Sequence, residues 1–401
     1  MCLEDLNYLI FAIMEKVYFD NAATTPIHDE VIACMTEVLK QEFGNPSSTH
    51  AYGRSAKSIV ETARKEIATR LHAQASEIIF TSGGTEADNF ILKGCVQGLG
   101  VKRIISSRIE HHAVLHSLEA LEAEFGTTIE YVQVDEKGRV NLKHLEELLK
   151  ESKEKTLVSL MHVNNEVGTL LDIHAVGDMC ATYNALFHSD TVQSIGHFPI
   201  DFSKNKIDFA TAAAHKFHGP KGVGFAYIRK GTGLEPLIHG GAQERGMRAG
   251  TEPVYAIAGM HRAIDLAYDN LEETSTYIQN LKSYFITELT KAVPGVIFNG
   301  ACADDTISTY TLVNFSLPID KKKALLLLFQ LDLKGVACSQ GSACQSGGNT
   351  GSHVLQELLG EEASNRSALR FSFSAFNTKE EVDYAVSVLK EYATSDVKQK
   401  A

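Results

Sequence analysis

The amino-acid sequence predicts an α/β protein of two domains: a large one built on a mostly parallel sheet covered by helices, and a smaller α+β one at the C-terminal end. Three observations predict it. Strand and helix patterns alternate through the middle of the chain, and parallel neighbours need such helical crossovers. The 401 residues exceed what one small core organises. Beyond residue 270 the spacing of strands and helices loosens into an α+β pattern.

The strand series opens at Glu77–Ser82 (EIIFTS), apolar and closed by the Gly83-Gly84 pair, and a helix starts near Glu86. Arg103–Ser107 is the next strand, with a helix from about Ala113. Thr128–Val134, Thr156–His162, Ala185–Asp190 and Asp208–Ala213 continue the series. Helical spacing appears between several of them, at Leu142–Leu149 and His174–Thr182. Gly222–Arg229 reads as a further strand close behind. One long helical stretch, Val254 to Ala292, bridges to the second domain. That domain reads as strand Thr309–Ser316, helix Lys322–Leu331, strand Arg370–Ser374 and helix Lys379–Thr394. The expected organisation is an extension at 1–16 and a large domain over 17–270, whose first ten or so residues pack on the small domain. The small domain covers 271–401 and carries a loop around Cys344.

Composition removes several function classes. Hydrophobic residues make up 44% and charged residues 22%, an ordinary balance for a globular chain. The net charge of −12, with no basic block, argues against nucleic acid or an anionic membrane surface as partner. No apolar run reaches the roughly 18–20 residues that span a bilayer. The apolar patch from Tyr8 to Met14 follows acidic Glu4 and Asp5 rather than the basic start of a secretory signal. It reads as a dispensable extension, with Met14 an alternative start. The seven cysteines are irregularly spaced and form no C-x-x-C pair, which argues against a disulfide framework or zinc knuckle and for a cytoplasmic location.

Six constellations carry candidate chemistry. Thr81-Ser-Gly-Gly-Thr-Glu86 turns a strand into a helix, and the backbone N–H groups there suit an anion, or else the motif is a plain glycine turn with a threonine cap. Asp190 ends the strand ALFHSD, where a carboxylate faces the ligand crevice of an open α/β sheet, or caps the next helix at the surface. Lys216 lies between the small residues Ala212–Ala214 and a Gly-Pro turn. A lysine held in an apolar site forms Schiff bases readily, and the small residues favour that over a solvated loop lysine. His112 and His116 share a helix face but lack H-E-x-x-H and a third ligand, so no metal site is expected. His111, directly after the strand, is better placed over a planar cofactor. His239–Thr251 is glycine-rich, with Arg245 and Arg248, and reads as a functional loop. Cys344 lies among Gly, Ser, Asn and Thr, the composition of an exposed loop, and an exposed free thiol is costly unless its reactivity is used. Cys338 reads as packed.

Ten stretches in this order resemble the cysteine desulfurases of the NifS/IscS group, within the class V aminotransferase family of fold-type I pyridoxal phosphate (PLP) enzymes. They are Asp20–Ile27, Phe43–Thr49, Thr81–Ala87, Glu110-His111, His162–Thr169, Asp190–Ile195, His215–Val223, Glu244–Glu252, Gly341–Gln345 and Leu369–Ser374. The similarity runs from about Val17 to about Lys390. It implies a large PLP-binding domain with a mostly parallel seven-stranded sheet. It also implies roles, position by position. Lys216 resembles the Schiff-base lysine, Asp190 the partner of the pyridine nitrogen, and His111 the residue stacked on the ring. Gln193 resembles the partner of the ring hydroxyl; Gly84, Thr85 and His215 resemble phosphate contacts. Thr251 matches a residue that reaches the phosphate of the other subunit in a homodimer. Asn165 and Arg370 match the groups that hold the substrate carboxylate, and Cys344 matches the sulfur-accepting cysteine. Ala213 stands where relatives often carry a phosphate-binding serine, a loss of about 0.5–1.5 kcal/mol.

The activity so implied is conversion of L-cysteine to alanine, with sulfur passing to Cys344 as a persulfide. Lys216 moves the Cα proton and His111 handles protons near the substrate thiol. Selenocysteine lyase or aminotransferase chemistry on the same fold is the alternative, and a non-catalytic PLP scaffold is disfavoured by the intact Lys216, Asp190 and Cys344. The Gly/Ser-rich run around Cys344 resembles the long-loop branch of the group. The chain ends soon after Thr394, without the tail some relatives use to dock a scaffold protein. The acceptor itself, for iron–sulfur cluster assembly or a thiolation pathway, is not named by the sequence.

Overall fold

A computed structural model describes residues 16–151, 153–341 and 351–394. Its strands are β1 (Val17–Tyr18), β2 (Ile78–Thr81), β3 (Arg103–Ser106), β4 (Thr128–Tyr131), β5 (Thr156–Ser159), β6 (Leu186–Asp190), β7 (Phe209–Ala213), β8 (Gly224–Ile228), β9 (Ile297–Phe298), β10 (Leu312–Leu317), β11 (Val336–Ala337) and β12 (Ser367–Ser372). Its longer helices are α1 (Asp29–Gln41), α2 (Ala51–Arg70), α3 (Gly84–Gln97), α4 (His112–Phe125), α5 (Leu142–Glu151), α6 (Ile173–Thr182), α7 (Val254–Asp269), α8 (Leu271–Ala292), α9 (Lys321–Leu333), α10 (His353–Leu359) and α11 (Lys379–Thr394).

Two compact units organise these elements. The larger comprises residues 24–165 and 170–272. Seven strands form its sheet in the order β2-β8-β7-β6-β5-β3-β4. Only β8 runs antiparallel, paired with β2 on one side and β7 on the other. The remaining neighbours are parallel. Successive residues point to opposite faces of a strand, so each strand feeds two cores. Ile105, Val158, Phe187, Ala210 and Phe225 enter one, while Ile104, Leu157, Phe209 and Ala226 enter the other. The parallel strands therefore read as continuous apolar runs rather than alternating ones.

The smaller unit comprises residues 16–23, 166–169 and 273–394 of the described chain. Strand β10 pairs antiparallel with β12 and β9, and β1 pairs parallel with β11. Phe19, Phe285, Phe315, Phe371 and Phe373, all at most 1% exposed, stack as its aromatic core.

The expected single helix from Val254 to Ala292 is two. The first ends at Asn270, whose Nδ2 donates to the Leu266 carbonyl, 3.1 Å, and so satisfies a terminal acceptor in place of the next turn. Glu77 belongs to a short 3-10 turn, not to the strand, because its carboxylate folds back to accept the Gln74 N–H. Helices α1, α2 and α10 add elements the strand–helix alternation did not announce.

Candidate active site

The parallel strands β2, β7, β6, β5 and β3 all end on one edge of the sheet, the edge where open α/β sheets bind ligands. The sequence-predicted groups of the larger unit follow these ends. Gly84 and Thr85 come after β2, His215 and Lys216 after β7, Asp190 and Gln193 at the end of β6, Asn165 after β5 and His111 after β3. The topology thus brings eight of them to one edge. Thr251 is exposed, on the loop before α7. Arg370 lies on β12 in the smaller unit. Cys344 lies outside the described residues, as do residues 1–15.

A turn at Gly83 opens the cradle. Its φ of 151° is one that side-chain-bearing residues rarely adopt, and no side chain caps the first N–H groups of α3. Gly84 needs its missing side chain, since a Cβ there would meet Val192 Cγ2 at 2.7 Å. The backbone N–H groups at this helix start are donors for an anion. Ala213, two residues before His215, flanks the cradle: its Cβ is 3.9 Å from where a Gly84 Cβ would be. The His215 Nδ1 bonds Thr24 Oγ1, 3.2 Å, and burial, then the charges of Lys216 and Lys221, lowers its pKa to about 4. The ring is neutral at physiological pH and offers one N–H.

Asp190 is 6% exposed. Its Oδ1 accepts the Val192 N–H at 2.9 Å and the Thr211 hydroxyl at 3.3 Å. Both bonds fix the plane of the carboxylate and leave Oδ2 as the acceptor for a ligand. Two buried groups, Asp88 and His188, pack together close by, His188 Nε2 lying 3.4 Å from Asp88 Oδ1. Asp88 is held well above the usual carboxylate range by burial and then by Asp190 itself. Burial pushes His188 down to about 3, and its Nδ1 is 2.9 Å from Ser159 Oγ.

Lys216 closes a 3-10 turn directly after β7. Its backbone is fixed from two sides: His197 Nε2 lies 3.0 Å from the Lys216 carbonyl, and Thr25 donates from N and Oγ1 to the His215 carbonyl. His111 caps α4, with Nδ1 accepting the Ala113 N–H at 3.1 Å. That bond places the proton of the neutral ring on Nε2.

Glu110, next to His111, is 1% exposed, and its Oε1 accepts from Ser107 Oγ and Met161 N. Burial raises its pKa from 4.5 to about 8. Between those values the folded protein holds one proton more than the unfolded chain, so this group's stabilisation is complete below pH 4.5 and is lost as pH rises through 8. Glu110→Gln keeps the acceptor oxygen and abolishes the titration. Its melting temperature is expected to fall less between pH 5 and pH 8 than that of the wild type. Parallel melting curves would sink this assignment.

In the smaller unit Arg370 is 1% exposed, and its Nη2 meets Asp20 Oδ1 at 3.0 Å. The Ser339 hydroxyl donates to the same oxygen, 2.7 Å. Asp20 thereby orients the guanidinium. Glu166 is fully buried and lies against Gly341 and Ser352. The Ser352 hydroxyl donates to its Oε2, and a Cβ on Gly341 would lie 3.0 Å from the same atom. Cys95, Cys180, Cys302 and Cys338 all have thiols pushed up by burial. None of these four is an activated nucleophile.

Asp20, Asp88, Glu166 and His188 were not read from the sequence as site residues. Asp20 and Glu166 lay inside motif stretches, but their partners Arg370 and Ser352 are 350 and 186 residues away along the chain. No group of three or more metal-ligating side chains occurs among the described residues, and no described helix is long and apolar enough to cross a membrane.

The aminotransferase class-V family model matches residues 17–385. The chain is 42% identical to a cysteine desulfurase IscS of Dictyoglomus turgidum, over 94% of this chain and 94% of the relative. It is 41% identical to one from Methanosarcina thermophila, over 94% and 92%. Among solved structures it is similar to a NifS-like protein with a TM-score of 0.85 and 37% identity, covering 94% of this chain and 98% of the other. A NifS-like protein from Rickettsia africae gives 0.83 and 34%, over 94% and 99%.

Proposed function

Since the chain belongs to the class V aminotransferase family, we propose that it is a PLP-dependent cysteine desulfurase, taking sulfur from L-cysteine and releasing alanine. The observation that carries this reading is the convergence of Lys216, Asp190 and the Gly84–Thr85 helix start on one sheet edge. Those residues fit the cofactor. The uncapped helix start and the neutral His215 suit a phosphate, Asp190 Oδ2 suits a protonated pyridine nitrogen, and Lys216 suits an aldehyde carbon. Gln193 serves the ring hydroxyl and His111 covers a ring face. When bound, PLP supplies an electron sink that acidifies the Cα–H of an attached amino acid.

The chain's own groups do the rest. The Arg370 guanidinium, oriented by Asp20, is the fork suited to a substrate carboxylate, and the resemblance gives Asn165 the same task. The Lys216 amine takes the Cα proton and returns it. His111, with its proton on Nε2, relays protons at the substrate thiol. The Cys344 thiolate attacks the substrate sulfur: a sulfur–sulfur bond forms, the carbon–sulfur bond breaks, and the electron pair stays on carbon, which is protonated to give alanine. Cysteine and one thiol become alanine and one persulfide, with no outside oxidant. Thr251 completes the phosphate site of a second copy, so the working form is a homodimer.

Purified protein loaded with PLP, given L-cysteine and a dithiol reductant, is expected to release alanine and sulfide one-for-one. Transfer of the amino group to a 2-oxo acid without sulfide would instead assign an aminotransferase.

A further inference from the structure

We propose that Arg64 and Glu244 are positioning residues of the phosphate sites, a clamp that fixes strand β2 and the 239–252 loop in one register. The inference rests on the reading of Thr251 as a phosphate contact for a second copy, and extends it to residues far from any phosphate.

Arg64 sits on the buried face of α2 and Glu244 in the loop, and both side chains are 2% exposed. They meet in a fork: Nη1 to Oε2 at 2.6 Å and Nη2 to Oε1 at 2.7 Å. Each partner also grips β2. Arg64 Nη1 donates to the Ile78 carbonyl, 2.7 Å, and Glu244 Oε2 accepts the Phe80 N–H, 2.8 Å. The guanidinium carbon lies 4.5 Å from the centre of the Phe80 ring. Strand β2 ends at Thr81, directly before the Gly83–Gly84 cradle.

The loop end of this clamp is strained. Glu244 (φ 45°), Arg245 (φ 57°) and Gly246 (φ 80°) are three successive left-handed residues, and two of them carry side chains. Each such residue resists that conformation and keeps it only when its surroundings dictate it. The ion pair supplies the dictation at Glu244. Arg245 Nη1 adds a bond to the Ala75 carbonyl, 2.7 Å. Farther along, Arg248 forks onto Glu86 at 2.9 and 3.2 Å, and Glu86 accepts the Ser82 N–H at 2.8 Å. Glu86 follows Thr85 in the first turn of α3. The loop then closes with the Gly250 N–H on Gln243 Oε1, 3.2 Å, just before Thr251.

An apolar pair would fill the same space without the cost of desolvating two ions. What apolar side chains lack is direction. The fork sets the loop's register against the strand that carries this chain's own cradle, and so sets where Thr251 emerges toward the other.

The test is a double-mutant cycle on PLP affinity, measured by cofactor binding to apo-protein for wild type, Glu244→Gln, Thr251→Val and the double variant. Each single change is expected to weaken binding about tenfold, the loss of one hydrogen bond to a charged group. The double variant is expected to be no weaker than the weaker single, because both act on one contact. Additive losses, about a hundredfold, would overturn the clamp's action through Thr251. Should Glu244→Gln not fold, Arg64→Met with Glu244→Leu removes the fork while filling the volume, and the cycle is repeated on it. Amide exchange across 239–252 separates the two layers of the proposal. Faster exchange in Glu244→Gln supports the clamp, and unchanged exchange overturns it whatever Thr251 does. Unchanged affinity in Thr251→Val overturns the reading of Thr251 as a phosphate contact, and with it the clamp's reach to a second cradle.

Discussion

Replacing Lys216 with alanine is expected to lower turnover of L-cysteine by about 10⁴-fold or more, the upper range for loss of a positioned general base. The same side chain is assigned two tasks, covalent attachment of the cofactor and movement of the Cα proton, so no neighbouring group restores both. His215 is the adjacent base in sequence, but its Nδ1 is engaged by Thr24 and its pKa is held near 4. The loss should be chemical rather than structural. The backbone at 215–216 is fixed by bonds to its carbonyls, from Thr25 and His197, which alanine leaves in place. Two readouts check this. Borohydride reduction should fix PLP to the wild-type chain and not to Lys216→Ala, by mass of the intact protein. Melting temperatures of the two apo-proteins should agree within a few degrees. Full cysteine turnover in the variant would remove Lys216 from the mechanism.

The sheet was legible because its strands announce themselves. Buried on both faces, they are short apolar runs between glycine turns and helices, as at IIFT before Gly83 and FATAA before Lys216. Helix α2 was not announced. Its buried stripe is Gly53, Ala56, Val60, Ala63, Arg64 and Ile67, a row of small residues interrupted by an arginine, which gives weak apolar periodicity. The arginine that blurs the pattern is the one that pairs with Glu244. The break at Asn270 was hidden for a related reason, since an amide that takes a helix-end carbonyl looks in sequence like any exposed polar residue. Of the candidate site, Asp190, Lys216, His111 and the Thr81–Glu86 turn were legible from their positions after strands, whereas Gln193, His215 and Asn165 came only with the family resemblance. Their supporting partners were not legible. Asp20 meets Arg370 across 350 residues of chain, and Glu166 meets Ser352 across 186. Such pairs are set by tertiary packing, and a single sequence carries no local signal for them.

Cys344→Ser is expected to abolish sulfide release, by at least about 10³-fold, while leaving cofactor binding intact. A serine hydroxyl is far too weak an acid to supply an anion near pH 7, and an oxygen–sulfur bond is no substitute for a persulfide. The remaining described thiols cannot take over. Burial, with Asp20 next, pushes the Cys338 thiol up, and burial does the same at Cys34, Cys95, Cys180 and Cys302. Cys338→Ser is therefore the control and should keep near wild-type rates. Alanine and sulfide must be followed together, because the mechanism ties one to the other: the carbon–sulfur bond breaks only as the sulfur–sulfur bond forms. Both products should disappear in Cys344→Ser. The cysteine-induced change in PLP absorbance should persist, since the substitution leaves every residue assigned to cofactor and substrate binding in place. Sulfide at the wild-type rate from Cys344→Ser would mean that sulfur leaves without a protein acceptor. The chain would then be a lyase on this fold, with the roles of Lys216 and Asp190 unchanged.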